Sequence, residues 1–347
     1  MSGVQTIEVA TGEGDQRLDR WLKRRFPQLT QGRIEKMCRK GECRVDGGRV
    51  KPATRLEAGQ NVRVPPVPDA AAPAIQQPRV SDKDAEMIRN CVIYRDAHVL
   101  ALNKPPGLPV QGGSGQTRHV DGMGGALQFE LDENPRLVHR LDKDTSGVLL
   151  LARTRAVAAS LTAAFRHRQT RKIYWAAVAG APHPKNGTIR YGLVKAGGHG
   201  AGGEGEKMHA VLPRDIEDTY GAKRALTDYA TLSAVAKRAA WMALAPVTGR
   251  THQLRVHMAE IGHPIAGDGK YGTSRQENMG DGWGAGFGEE LSRKLHLHSR
   301  SLRLEHPVTK AMLELTAPLP EHMQKTWDYF QWSPADVPAD PFDEDWS

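Results

Sequence analysis

The sequence is poor in the features that mark secreted, membrane-spanning or metal-built proteins. Among 347 residues only Cys38, Cys43 and Cys91 are cysteines. Three cannot make a disulfide framework, and the absence of a CxxC pair excludes a structural zinc knuckle. No apolar run approaches the roughly 20 residues that a membrane span requires. The opening MSGVQTIEVATGEGD has neither the basic start nor the apolar centre of a signal peptide. A cytoplasmic protein is the expectation. Signatures of nucleotide and hydrolase chemistry are missing too. Gly267-Asp268-Gly269-Lys270 is followed by Tyr271 and lacks the earlier glycine of a phosphate-binding loop. Gly200, Gly202 and Gly205 have GxGxxG spacing, but neither a strand precedes them nor a helix follows, so a dinucleotide site is excluded. No GxSxG elbow occurs.

Acid is also in short supply. The 48 Lys and Arg exceed the 40 Asp and Glu, giving +8 and a pI near 9.4, which favours a polyanionic partner. The excess is unevenly spread. Residues 1–64 hold 14 basic and 8 acidic residues, a net +6, whereas residues 333–347 hold five acids and no base. A charge excess can equally be a solvated face, so spacing must decide. Five prolines in PPVPDAAAPAIQQPRV (65–80) deny the chain helix and ladder donors, predicting an extended linker. Glycine density predicts mobile loops at 196–207 and 279–288. The acidic tail from Ser333 is predicted to be disordered. The organisation expected is a module over 1–64, a linker over 65–80, a larger domain over 81–332 and a tail over 333–347.

In the first module Leu18, Trp21, Leu22 and Phe26 fall on one helix face. A second helix is capped by Thr30 and stopped by Gly41, with Ile34, Met37 and Cys38 as its apolar stripe. Arg33, Lys36 and Lys40, with Arg39 beside them, occupy another face. Residues 43–51 read as strand, tight turn at Asp46-Gly47-Gly48 and strand. A row of cations on such a scaffold suits phosphates. Over Gln16–Val64, through RLDRWL, RKGECRVDGGRV and LEAGQNVRV, this piece resembles an S4 domain, the small RNA-binding fold.

Three charged clusters organise the remainder. Cys91–Leu102 reads as a hairpin before the loop Asn103–Gly107. Val148–Leu151 is a short apolar run suited to a buried strand, and before it lies a loop crowded with His139, Arg140, Asp142, Lys143 and Asp144. A carboxylate among cations stays ionised at neutral pH, which suits a nucleophile or base; a surface ion-pair cluster is the plainer alternative. Thr154 can cap a helix that buries Val157, Leu161, Ala164 and Phe165. Residues 152–175 hold Arg153, Arg155, Arg166, Arg168, Arg171 and Lys172 and no acid, a second basic strip. Ile173–Val178 is a strand with Tyr174 and Trp175 on opposite faces; Tyr174, after a basic run, can be core or can face a nucleobase. In PVTGRTHQLRVH (246–257), Thr248-Gly249-Arg250 lies at a helix start, where free N–H groups favour anions, so Arg250 could hold a carboxylate or a phosphate. His252 and His257 are five apart and do not share a face as zinc ligands would. His296 and His298 alternate along a strand as polar core or surface.

HRLDKDTSG (139–147), RKIYWAAVAG (171–180) and PVTGRTHQLRVH (246–257), in this order, resemble the three catalytic motifs of the RluA/RluC/RluD family of RNA pseudouridine synthases. GHPIAGDGKYG (262–272) and LHLHSRSLRLEHP (295–307) extend the likeness, which runs from about residue 16 to 323. VQGGSG (110–115) and the 39–67 stretch are most similar to the RluC branch, which modifies uridines in large-subunit ribosomal RNA. The resemblance implies an α+β fold: the S4-like module, then a catalytic domain with a mixed, mainly antiparallel sheet flanked by helices. It implies that Asp142 starts cleavage of the uridine N1–C1′ bond, by attacking the sugar or by removing its 2′ proton. Arg140 would fill the gap left by the flipped nucleotide. Tyr174 would pack on the base and could move the proton at C5, Arg250 would pair with Asp142, and Leu297 would line the pocket. Arg33, Lys36, Arg39, Lys40, Arg171 and Lys172 would bind RNA. No cofactor or metal is expected. The partner expected is large-subunit ribosomal RNA or its assembly intermediates, bound by a monomer. A transfer-RNA substrate, or a non-catalytic assembly factor on the same fold, are the alternatives.

Overall fold

A computed structural model of the chain describes residues 3–67, 80–112, 118–195, 207–272 and 291–342. The chain divides into two units, Met1–Arg79 and Val80–Ser347. Their boundary falls in the proline-rich stretch, whose residues 68–79 lie outside the described residues, as do the glycine-rich stretches at 196–206 and 279–288.

The first unit contains β1 (Gln5–Glu8), β2 (Gln16–Arg17), α1 (Leu18–Arg25), α2 (Gln31–Lys40), β3 (Arg44–Val45), β4 (Gly48–Arg49), β5 (Arg55–Leu56) and β6 (Asn61–Val64). Its main sheet runs β1-β6-β3-β4, with β2 and β5 paired separately. The helix signals act as their chemistry predicts. The Thr30 side chain accepts from the Arg33 N–H, and Gly41 closes α2 in left-handed backbone at φ 69°. Leu18, Trp21, Leu22, Ile34, Met37 and Cys38 are buried together with the strand residues Leu56, Val62 and Val64. Asp46 and Gly47, both at positive φ, make the two-residue turn whose twist suits the β3–β4 hairpin. The strand β1 is not foreseen from sequence: four residues carry too little pattern to announce themselves.

The second unit is built on one large sheet. Its elements are α3 (Asp82–Asn90), β7 (Val92–Arg95), β8 (Val99–Lys104), β9 (Arg136–Leu137), β10 (Ser146–Ala152), α4 (Arg155–Arg166), β11 (Thr170–Ala179), β12 (Asn186–Lys195), β13 (Met208–Val211), β14 (Lys223–Val235), β15 (Ala239–Pro246), α5 (Gln253–Glu260), β16 (Leu297–Glu305), β17 (Met312–Thr316) and α6 (Glu321–Tyr329). The strand order is β13-β12-β14-β15-β11-β16-β10-β8-β7, with β17 added to β16 and β9 to β10. All these pairs are antiparallel except β10 with β16. This is the mixed, mainly antiparallel α+β architecture expected. No helix among the described residues is long and apolar enough to cross a membrane.

The single parallel contact is short and consequential. It covers Ser146 opposite His298 and Gly147 opposite Ser299. Beyond it β10 continues against β8 and β9, while β16 continues against β17. The sheet therefore forks there. Gly147 sits at φ 105°, and a Cβ on it would collide with the Ser299 backbone, so only glycine lets the strands touch. His298 closes the fork by joining the Ser146 hydroxyl at 2.9 Å and the Ala317 carbonyl at 3.1 Å. His296 and His298 are polar core: both are buried, and burial pushes each down to about 4.

Two expectations need correction. The strand β8 runs on through Lys104 instead of breaking at Asn103, because Lys104 has buried partners to reach. The tail is not disordered over 333–342. The Ser333 hydroxyl caps a short turn of helix, and Val337 and Phe342 pack on the cluster of Trp241, Trp327 and Trp332. Prolines and acids dominate the composition of this segment and mask its apolar anchors. Residues 343–347 lie outside the described residues.

Candidate active site

A cavity of about 460 Å³ is lined by the loop before β10, by α4 and the start of β11, by the β15–α5 connection and by β16. It brings together Arg140, Asp142, Tyr174, Arg250 and Leu297, which lie far apart in the sequence. Phe165, Lys172, His252 and Arg255 share the lining.

The loop that carries Asp142 is held from below by Lys104. This lysine is fully buried, and its ammonium donates to the carbonyls of Pro105, Leu108 and Lys143 at 2.9, 2.8 and 2.9 Å. Three donors thus meet three acceptors, the condition for tolerating a buried ammonium. Burial still pushes Lys104 down to about 7, against the pull of Asp144, Asp142 and Cys91. The Lys143 carbonyl also accepts from the Gly107 N–H, so the loops at 104–108 and 142–145 are tied together. On the cavity side His139 stacks on Phe165 at 4.4 Å and accepts from the Leu150 N–H at 2.9 Å. Burial, with repulsion from Lys172, pushes this imidazole down to about 3, so it stays neutral as the acceptor the contact requires.

Tyr174 stands where the β11–β16 register shifts, between Ile173 and Tyr174, so the irregularity sets the aim of its ring. Burial, aided by the charge of Asp142 and opposed by Ser299, pushes its phenol up to about 12. Tyr174 therefore keeps its proton at neutral pH. Leu297 is buried and presents an apolar wall, and Arg140 is exposed at the mouth.

Arg250 lines the cavity but does not pair with Asp142 as the resemblance implied. Its Nε donates to the Arg224 carbonyl at 3.2 Å. The helix begins at Gln253, not at Thr248, and the intervening residues form a cap: the Thr248 hydroxyl donates to Gln253 Oε1 at 2.7 Å, and the Arg250 N–H donates to the same oxygen at 3.0 Å. Among the described residues, the basic group within ion-pair distance of the Asp142 carboxylate is His252, whose Nε2 lies 3.9 Å from Oδ2. Arg255, the other nearby guanidinium, is taken by Asp268 in a buried two-point pair at 2.7 and 2.8 Å.

The two histidines weighed as zinc ligands diverge. His252 faces the cavity, whereas His257 is fully buried with neither ring nitrogen bonded. Among the described residues no group of three or more His, Cys, Asp or Glu is placed to hold a metal.

The basic residues separate into exposed and committed ones. On α2 Arg33, Lys36, Arg39 and Lys40 are all exposed; Arg33 and Lys40 each lie 3.9 Å from Glu42. The strip over 152–175 is less uniform than its sequence. Arg153 is buried and bonded to Glu130 at 2.6 Å and to the Gln128 carbonyl. Arg171 makes a two-point pair with Asp340 at 2.7 and 2.9 Å, which corrects its assignment as a cation held ready for RNA. Lys172 lies over the Phe165 ring at 5.7 Å, and burial lowers its pKa. Arg166 and Arg168 remain exposed at the cavity rim.

Sequence reasoning assigned no role to Lys104, His252, Tyr271 or the Arg255–Asp268 pair. All but Lys104 lie inside quoted motifs, THQLR and GDGKY. The signal available was a histidine, an arginine and a carboxylate around a helix start, which spacing alone does not resolve into partners.

The chain is similar to known proteins over both units. Residues 98–260 match the family model described as RNA pseudouridylate synthase, and residues 16–62 match the S4 domain. The chain is 35% identical over 333 residues to ribosomal large subunit pseudouridine synthase C of Vibrio cholerae, covering 93% of this chain and 95% of that protein. It is 33% identical over 332 residues to the Escherichia coli K12 protein of the same name, with the same coverage. Among solved structures, human RNA pseudouridylate synthase domain containing 4 is similar with a TM-score of 0.56 and 29% identity, over 71% of this chain and 95% of that one. With the fold, the converging motifs and these relatives in agreement, the chain belongs to the RNA pseudouridylate synthase family, a family of isomerases, and carries an S4 domain ahead of its catalytic unit.

Proposed function

We propose that this chain converts uridine to pseudouridine in large-subunit ribosomal RNA, with Asp142 as the acting carboxylate. One observation carries the reading: Asp142 opens into a cavity whose walls supply a neutral phenol, an apolar side chain and cations at the rim, which fits one flipped nucleotide. The relatives' names support the substrate.

The reaction conserves every atom. The N1–C1′ bond breaks, the uracil turns, C5 bonds to C1′, and the proton lost from C5 is balanced by one gained at N1. Substrate and product have the same oxidation level, so the step needs no oxidant, reductant or cofactor. Asp142 acts at the sugar, either on C1′ or on the 2′ proton; both begin from an ionised carboxylate. Ordinary glycoside hydrolysis employs a second carboxyl group and a water, neither of which an isomerisation needs. Tyr174 and Leu297 sandwich the base and exclude water. Tyr174 serves as a wall and as the proton-transfer group at C5: its phenol, protonated in the resting pocket, gives one proton and recovers the one that C5 loses. Flipping costs a few kcal/mol of stacking. Arg140 fills the vacated position, and Arg250 turns from the Arg224 carbonyl to the substrate backbone. The exposed row on α2, with Arg166, Arg168 and Lys172, supplies phosphate contacts. Such a substrate is met in the cytoplasm, where ribosomes assemble.

Asp142→Asn tests the reading. Pseudouridine formation should be abolished while RNA affinity stays within a few-fold. A wild-type chain that forms no pseudouridine in ribosomal RNA would favour the non-catalytic assembly role. Pseudouridine missing from transfer RNA instead, in cells lacking the chain, would move the substrate.

A further inference from the structure

Among the described residues His252 is the basic group within ion-pair distance of the Asp142 carboxylate, on which the charge of Arg255 also acts, and its surroundings point to a device for aiming that carboxylate. His252 begins α5 with φ 54° and ψ 17°. Left-handed backbone is uncommon for a residue with a side chain and is retained where the surroundings enforce it. Here it gives the imidazole two different neighbours. Nε2 lies 3.9 Å from Asp142 Oδ2, and Nδ1 lies 2.7 Å from the Tyr271 hydroxyl oxygen.

The second contact fixes where the imidazole proton sits. The Tyr271 oxygen already accepts from the Met208 N–H at 2.9 Å. A phenol has one proton to give, and His252 Nδ1 is the acceptor within reach. If Nδ1 takes that hydrogen bond, the proton of the neutral imidazole is on Nε2, the atom that faces Asp142. The other tautomer would turn a lone pair toward a carboxylate and leave the phenol proton without its acceptor. Tyr271 cannot drift from this position. Asp268 Oδ1 accepts from the N–H groups of Lys270 and Tyr271, Asp268 is gripped by Arg255, and the Arg255 guanidinium lies 5.2 Å from the Tyr271 ring.

We infer that His252 is a positioning residue for the reaction: a neutral imidazole whose Nε2–H, set by the Met208–Tyr271 relay, holds the Asp142 carboxylate on the sugar. This rests on the reading of Asp142 given above. Neutrality matters to the role. A neutral Nε2–H orients the carboxylate through one hydrogen bond without adding a second positive charge to that of Arg255. The groups facing His252 are Asp142, Arg255, Lys270, Asp268 and Tyr271; burial outweighs the two carboxylates and lowers the imidazole pKa. At 3.9 Å the contact is open, and it closes to a hydrogen bond when a nucleotide displaces water, as catalytic contacts commonly tighten on binding.

Three variants test this by single-turnover pseudouridine formation, RNA binding and the pH–rate profile. His252→Phe should slow the reaction about a hundredfold with RNA affinity within a few-fold, since small misplacement of a reacting group has that effect. It should also move the acid limb of the profile upward, because the carboxylate loses a donor. His252→Gln, which keeps an N–H, should recover part of the rate and return the limb. Tyr271→Phe should lose about three- to tenfold, the tautomer no longer being fixed. A His252→Phe chain with wild-type rate overturns the inference. So does a loss that leaves the acid limb in place and is not recovered by His252→Gln, since that pattern marks a structural lesion. If His252→Phe does not fold, Tyr271→Phe decides alone, and a wild-type rate there overturns the relay. An active Asp142→Asn chain would instead sink the reading of Asp142 itself.

Discussion

The cations on α2 and several of those in the catalytic unit are alike in sequence and opposite in use. On α2 four cations stand exposed, and Glu42 lies 3.9 Å from two of them. In the catalytic unit several basic residues are committed. Arg153 grips Glu130, Arg171 grips Asp340, Arg255 grips Asp268, and Lys104 is spent on carbonyl groups. The first set is available to a partner, whereas the second builds the pocket. A count of charges treats these alike, and only burial and pairing tell them apart.

The contrast can be broken at its building end with the largest effect. Asp268→Ala leaves Arg255 buried without a counter-charge and frees Tyr271, so stability should fall by about 3–5 kcal/mol; chemical denaturation measures it. At the binding end, replacing Arg33, Lys36, Arg39 and Lys40 together with alanine should leave the fold intact and weaken RNA binding at all sequences. The slope of log affinity against log salt should shrink by about 0.7–0.9 for each phosphate that no longer meets a cation. An unchanged slope would remove RNA from the face of α2.

The smallest effect sharpens the contrast through pH. His139, His296 and His298 are held near 3, 4 and 4, below the ordinary 6.5. As pH falls from about 6.5 toward 4 the unfolded chain takes up protons that the folded chain refuses, so stability declines with acidity over that window. A thermal midpoint that is flat between about pH 7 and 5 would contradict the buried, neutral state of these imidazoles.

Much of this is legible in the sequence because local rules act at short range. Thr30, Gly41 and Thr154 cap as their chemistry dictates, and the apolar run at 148–151 is a buried strand. The convergence of Asp142, Tyr174 and Leu297 is legible only through family resemblance, since no spacing rule joins residues so far apart. What stays hidden depends on three-dimensional pairing. The partner of Arg171 lies 169 residues away, in a segment whose composition suggests disorder. The partner of Arg250 is a backbone carbonyl, which carries no mark in sequence. Lys104 reads as one more surface lysine until the chain closes over it.

The fork at Gly147 has a mechanical meaning. The two arms of the large sheet share a two-residue ladder, closed by the Ser146–His298 bond, immediately after the loop that bears Asp142. A side chain at Gly147 would push against the Ser299 backbone and pry that ladder open from within. A substitution at Gly147 would then disturb the Asp142 loop through the strand that follows it, without touching any residue that lines the cavity.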